Sequence, residues 1–258
     1  MNIIIGDIGN TITKICLVEG KDYKIKKIFY FNSDKIISIK NLIAIFKKII
    51  KKRKVHKIAL FSCVVPKYHS LIKSFFKKKY NISLKEIKDK KIKKIVKINI
   101  KNKNQVGSDR IANAVGVYKK YKTNSIVLDF GTATTFDVID NNGVYNGGVI
   151  APGINLSIKS LSGSADQIPF FSVKKQKKII GKNTKEALRS GFYWGYLGLI
   201  NNIILMIQKE TKKKYKIIFT GGYANLFKTS IIRPFTVDRN ITIEGIIEIF
   251  KKNKKYLN

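Results

Sequence analysis

Ile3-Ile4-Ile5-Gly6-Asp7-Ile8-Gly9-Asn10-Thr11 opens the chain with a β-branched run that stops at an acid, a glycine and two small polar residues. A second apolar run, Ile15-Cys16-Leu17-Val18, follows at once and ends at Glu19-Gly20, so the stretch reads as a β-hairpin around a tight turn. The same grammar returns later. Ser125-Ile126-Val127-Leu128 runs into Asp129-Phe130-Gly131-Thr132-Ala133-Thr134-Thr135, and Phe136-Asp137-Val138-Ile139 follows. Asp129 aligns with Asp7, Gly131 with Gly9, Thr132 with Asn10 and Thr135 with Thr13, at an offset of 122 residues in a chain of 258. A period close to half the chain is far longer than the roughly 20–50 residues of a solenoid unit. It predicts two copies of one domain fold.

The remainder alternates strand and helix signals. Lys57–Val65 and Lys216–Thr220 are strand-like, whereas Ile111–Tyr121, Thr184–Ile207 and Thr242–Lys252 are helix-like. That mixture predicts α/β halves, taken as residues 1–118 and 119–258, with the C-terminal helix free to pack back on the first half. No Pro- or Ser-rich linker separates them, so they are expected to meet along a cleft. Lys77–Lys103, lysine-laden and of low complexity, reads as a surface excursion.

With 44% apolar and 11% aromatic residues the chain can build a sizeable core. Its formal net charge of +36 raises nucleic acid or an anionic membrane as partner. The kind of base argues otherwise. Only Arg53, Arg110, Arg189, Arg233 and Arg239 are arginines among 52 basic residues, and base readout and bidentate phosphate recognition favour arginine. The lysines are spread through nearly every segment, as on a solvated surface. Cys16 and Cys63 are too few for a disulfide framework or zinc knuckle, and His56 and His69 too few for a His-rich metal centre. The N-terminal residues reach an acid at Asp7 without a basic leader. The longest mainly apolar stretch, Phe192 to Ile207, holds Asn201 and Asn202 and falls short of the ~20 residues of a membrane span. A cytoplasmic protein without membrane partner is the expectation.

An acid at a strand end, followed by glycine and small hydroxyl or amide residues, suits a metal-bound nucleotide. Glycine lets the backbone approach a phosphate, and successive N–H groups in a turn form an anion nest. The carboxylate is a hard oxygen ligand for Mg²⁺, its waters or a monovalent cation. Either turn alone is also ordinary hairpin chemistry; two equivalent turns describe a clamp on a triphosphate. Gly221-Gly222, after the strand at Lys216–Thr220, reads as a strand-to-helix turn on whose bare backbone an adenine or ribose can lie. No Gly-x-x-x-x-Gly-Lys-Ser/Thr is present, which excludes a Walker A loop. ATP is the expected nucleotide.

Asp7-x-Gly9-Asn10-Thr11, Gly107-Ser108-Asp109-Arg110 and Asp129-x-Gly131-Thr132-Ala133-Thr134-Thr135 together resemble type III pantothenate kinase. Ser62-Cys63-Val64-Val65-Pro66, Gly147 through Gly153 and Thr184 through Gly191 match in the same order along the chain. The resemblance implies the fold of the acetate-kinase, sugar-kinase, Hsc70 and actin superfamily: two duplicated actin-like (RNase H-like) halves with an ATP cleft between them. It implies transfer of the ATP γ-phosphate to the primary hydroxyl of pantothenate, giving 4'-phosphopantothenate on the way to coenzyme A. Carried over, Asp109 is the general base, and Gly107, Ser108, Asp109 and Arg110 form the pantothenate loop, with Arg110 on the substrate carboxylate. Asp7, Ile8, Gly9, Asn10, Thr11, Ile12, Thr13 and Lys14 form the first phosphate loop, Thr132 contacts ATP and Thr184 contacts pantothenate. Asp129 holds a monovalent cation, K⁺ or NH₄⁺, with Mg²⁺ accompanying ATP, and the enzyme is a homodimer. Asp109, just ahead of the helical run at Ile111, gains from the helix N-terminus in its ionised form. The chain departs from the family at Ile100, where a substrate-contacting tyrosine is usual, and at Lys103, where proline is usual. Those changes bear on pantothenate affinity rather than catalysis.

Overall fold

A strand with isoleucine on both of its faces must be covered on both, and Asn2–Ile8 (β1), with Ile3, Ile4, Ile5 and Ile8, is buried from Ile3 to its end. It forms the centre of a sheet in a computed structural model that describes residues 1–50, 53–165, 167–228, 230 and 234–257. β1 pairs antiparallel with Ile12–Glu19 (β2), which pairs antiparallel with Ile25–Asn32 (β3). After the helix Ile39–Ile50 (α1), the strand Ile58–Cys63 (β4) returns parallel to β1 on its other side. Then the helix Pro66–Tyr80 (α2) leads to Ser83–Glu86 (β5), parallel to β4. The strand order is β3-β2-β1-β4-β5. The helix Ser108–Tyr121 (α3) closes this run.

The second half repeats the plan. Ser125–Phe130 (β6) and Ala133–Ile139 (β7) form the antiparallel hairpin, and Tyr145–Pro152 (β8) lies beyond β7. The helices Ile154–Ser164 (α4) and Thr184–Thr211 (α5) follow. Lys216–Gly221 (β9) then pairs parallel with β6, and Phe235–Val237 (β10) parallel with β9. Read from β8, the order is β8-β7-β6-β9-β10, which is the order of the first sheet strand for strand. The last helix, Ile241–Leu257 (α6), belongs to the first unit, made of Met1–Lys122, Gly143–Tyr145 and Asn240–Asn258; the second unit holds Thr123–Asn142 and Asn146–Arg239.

Each half has its own core. In the first, Ile4, Ile8, Ile15 and Leu17 meet Phe46 and Phe76 of α1 and α2 on one face. In the second, Ile126, Leu128, Phe130 and Phe136 meet Tyr193, Leu197, Ile200 and Ile204 of α5. The apolar length of α5 therefore serves as a core helix, with a buried stripe at helical spacing. Lys77–Lys103 is not the excursion its composition predicts. It contains β5 and the buried residues Ile82, Leu84, Ile87, Ile92, Val96 and Ile98. Lysines interleave with isoleucines there, so one set faces water and the other the core, and a composition average hides the alternation.

On the other face of the first sheet, α3 and α6 pack at very short range. A methyl group on Gly245 would lie 1.8 Å from the Ala112 carbonyl oxygen, and one on Gly116 would lie 2.3 Å from that of Ile241. Thr242 Oγ1 donates to Asn113 Oδ1 at 2.7 Å inside the contact. Gly245→Ala is expected to lower the thermal midpoint by about 4 °C or more, as overpacking by about 1–3 kcal/mol does in a chain of this size. Gly163→Ala, at a position with open space around it, is the control and should stay within about 2 °C. Scanning calorimetry of both variants checks this.

Candidate active site

The first hairpin turns on Gly9, whose N–H donates to the Ile12 carbonyl at 3.2 Å. A side chain there would press on that carbonyl, 2.8 Å away. Asn10, Thr11 and Ile12 are exposed, while Asp7 is 8% exposed. Register sets Asp7 opposite Lys14 across β1 and β2, and Lys14 Nζ stands 3.8 Å from Asp7 Oδ2. The loop is pinned by Ser33, which sequence reasoning missed. Its Oγ donates to the Gly9 carbonyl at 2.7 Å and lies 2.8 Å from Thr13 Oγ1, and its N–H donates to Thr11 at 2.9 Å.

The second hairpin is built alike but is one residue shorter. Gly131 N–H donates to Ala133 at 3.0 Å, one residue sooner than Gly9 to Ile12. Ile8 pairs with Thr13 and Phe130 with Thr134, so the counterpart of Thr13 is Thr134 and not Thr135. A constant sequence offset could not register the extra loop residue. Opposite Asp129 therefore stands the neutral Thr135, where Lys14 stands opposite Asp7.

Close backbone approaches crowd this end of the second sheet. A methyl on Gly153 would lie 2.1 Å from the Thr132 carbonyl oxygen, which brings the loop against the start of α4. Gly221 has φ +84°, and its missing side chain would meet Asp129 Oδ1 and the Phe130 backbone, each at 2.6 Å. A side chain at Gly221 would thus displace Asp129. Gly222 is the open one, and a run of turns follows it instead of a helix, with Tyr223 hydrogen-bonded to Asn155 of α4.

Gly107 to Arg110 lie at the start of α3, which begins at Ser108, so Asp109 is inside the first turn rather than ahead of it. The N-cap residue is Gly107, so the cap itself makes no side-chain bond. Ser108 Oγ instead donates to the Cys63 carbonyl at 3.1 Å. Asp109 Oδ1 accepts the Arg110 N–H at 2.8 Å and lies over Gly107, where a methyl group would meet it at 2.5 Å. Arg110 places its guanidinium 5.7 Å from the centre of the Tyr145 ring. This loop adjoins the first hairpin through the end of β4. Val64 N–H donates to Ile8 at 3.1 Å, and Val64 Cγ1 would lie 3.8 Å from a methyl on Gly107. Ile100 is half-buried. Thr184 is the exposed first residue of α5, after the cap Asn183, whose side chain accepts the Glu186 N–H at 3.0 Å.

A family model for type III pantothenate kinase matches residues 3–206. The type III pantothenate kinase of Pelagibacter ubique is 49% identical over 245 residues, which is 95% of this chain and 97% of that one. That of Paramagnetospirillum magneticum is 36% identical over 195 residues, 76% of this chain and 75% of its own length. The chain belongs to the type III pantothenate kinase family. It is a kinase of that family, and its fold is that of two duplicated actin-like α/β halves. A 2-dehydro-3-deoxygalactonokinase-like protein of Sinorhizobium meliloti superposes with a TM-score of 0.61 at 6% identity, over 97% of this chain and 98% of that one. The ethanolamine utilization protein EutJ of Carboxydothermus hydrogenoformans gives 0.58 at 14% identity, over 96% and 89%. At such identities the likeness speaks to the fold alone.

Two residues with no sequence signal brace the loop of this pantothenate kinase family member. Lys88 Nζ donates to the carbonyls of Asn104 at 2.9 Å and Val106 at 3.0 Å, just before Gly107. Glu86, at the end of β5, accepts the Lys88 N–H at 2.6 Å and stands beside Ser108 and Cys63. Burial pushes the Glu86 carboxyl above its ordinary range, against smaller opposing effects of Ser108 and the Lys88 backbone. Burial, with the charges of Glu86 and Asp7, pushes the Cys63 thiol up to about 11. Because the folded state disfavours ionised Glu86, its cost is absent below the unfolded carboxyl's pKa and grows as pH rises through the folded one. Glu86→Gln should therefore gain thermal stability over the parent at pH 7.5 relative to pH 4.5. Melting curves at the two pH values check the sign.

Proposed function

We propose that the protein phosphorylates pantothenate with ATP, and that Asp109 is the general base. The observation carrying this reading is the Asp109 carboxylate, held at the first turn of α3 over a glycine that leaves it room, beside the end of β1 that leads into the first hairpin. The pantothenate hydroxyl oxygen attacks the γ-phosphorus, the bond from that phosphorus to the β,γ-bridging oxygen breaks, and ADP leaves. Asp109 accepts the hydroxyl proton. The first turn of a helix favours the ionised form it needs. Gly107, Ser108 and Arg110 orient the acceptor, with Arg110 on its carboxylate, and Thr184 adds a contact. Asp7 through Lys14 and Thr132 receive ATP, whose phosphates suit glycine-containing turns that the backbone lets them approach. Most of the rate comes from positioning and charge neutralisation.

The cation is assigned to Asp129 rather than Asp7, because Lys14 already supplies a positive charge to Asp7. Among the described residues no group of three His, Cys, Asp or Glu side chains could hold a metal ion. A single carboxylate suits a partly hydrated ion completed by backbone, water or nucleotide oxygens, K⁺ or NH₄⁺, and Mg²⁺ arriving with ATP. Such an ion neutralises charge on the transferring phosphate. The enzyme acts in the cytoplasm as a homodimer. A methyl group on Gly191, Gly195 or Gly198 of α5 would meet nothing within 4 Å beyond its own helix among the described residues, and Met206 is exposed, which supports a second subunit there.

Asp109→Asn should lower turnover by about 10²-fold or more with Mg-ATP binding nearly unchanged, as removal of a general base does. ADP-release kinetics with pantothenate, against a panel of sugars and short acids, measure it; near-normal turnover would refute the role. Activity should appear with K⁺ or NH₄⁺ and be slight with Na⁺ alone, and Asp129→Ala should raise the K⁺ concentration giving half-maximal rate. Equal rates in the three salts would sink the cation assignment.

A further inference from the structure

Two hydroxyls at equivalent places in the two halves are buried without a hydrogen-bond partner among the described residues. Ser62 and Thr220 are both 0% exposed, and neither Ser62 Oγ nor Thr220 Oγ1 has a donor or acceptor in reach. In the parallel register Asp7 pairs with Ser62 and Asp129 with Thr220. Residues paired in this way project from the same face, so each hydroxyl stands beside the acid of its own half. The next residues on the strands, Cys63 and Gly221, are equivalent too, facing Ile8 and Phe130. Thr134 is also buried and unpartnered, but it pairs with Phe130 on the opposite face and is no part of this arrangement.

An unsatisfied buried hydroxyl is a cost to the folded chain, and an apolar group of the same shape avoids it. One such hydroxyl is an accident of packing. Two, each next to the acid that ends the first strand of its half, point to something the chain meets only when it binds. We propose that Ser62 and Thr220 are positioning residues of the nucleotide site: each hydroxyl accepts, beside its neighbouring carboxylate, a hydrogen bond from a water that arrives with the metal-bound nucleotide. The inference rests on reading the two hairpins as phosphate loops. Water suits the place chemically. It can donate to carboxylate and hydroxyl at once, and a water polarised by a cation donates more strongly.

The test uses the full chain and its Ser62→Ala, Thr220→Val, Ser62→Thr and Thr220→Ser variants. Thermal midpoints are measured without ligand and with saturating Mg-ATP, together with KM for ATP and kcat. Ser62→Ala and Thr220→Val should keep or raise the ligand-free midpoint, shrink the Mg-ATP shift and raise KM for ATP about tenfold, with kcat changed less. Ser62→Thr and Thr220→Ser should restore most of the shift. A lowered ligand-free midpoint with unchanged Mg-ATP shift and KM would overturn the proposal and leave the hydroxyls a structural role. A parent protein whose midpoint Mg-ATP does not move would overturn the phosphate-loop reading itself, and this inference with it.

Discussion

A carboxylate at the end of a buried strand is costly unless something nearby answers its charge, and that constraint organises both halves of this chain. Asp7 is almost covered, and the register of β1 against β2 brings Lys14 to it. That register holds only if the turn closes at Gly9, and Ser33 fastens the turn from below. In the second half the carboxylate of Asp129 lies against Gly221, at a φ that side chains rarely adopt. Gly221 thus answers to the acid beside it, whereas Gly9 answers to the Ile12 carbonyl of its own turn.

The duplication is complete in topology and incomplete in chemistry. Both sheets run in the same strand order, and both hairpins close by an N–H of the glycine two residues after the acid. Yet one loop is a residue longer, one acid faces a lysine and the other a threonine, and one buried threonine is bonded through Ser33 while its counterpart is not. Lys14 answers the charge of Asp7 from across the strand, a service the neutral Thr135 does not give Asp129.

Much of this was legible because the signals were local. Ile3–Ile5 before Asp7, and Ile126–Leu128 before Asp129, announce strand, acid and turn in consecutive residues, and their repetition announces two halves. Gly107, Ser108, Asp109 and Arg110 stood out as one local motif. What escaped was non-local. Ser33 reaches Gly9 across β3, and Lys88 holds Asn104 and Val106 across a stretch whose composition suggests only a lysine-rich surface. The one-residue difference between hairpins escaped because alignment by motif fixes glycines and acids, whereas register is decided by which carbonyl the turn amide finds. The turns after Gly221-Gly222, where the sequence suggests a helix, escaped too, because a Gly-Gly pair at a strand end opens a run of turns as readily as a helix.

The position of Asp109 is set from farther along its helix. Glycine at the N-cap gives α3 no side-chain capping bond, so its start is weakly held by local means. One turn on, Asn113 is bonded to Thr242, and the turn after that Gly116 meets the backbone of α6 at a distance no side chain allows. Contacts this close admit little sliding or rotation between the two helices, because a small shift in either direction is a clash or a void. Ser108 then fixes the first turn to the end of β4. The carboxylate of Asp109 thus keeps its place on a helix whose N-cap residue makes no side-chain bond.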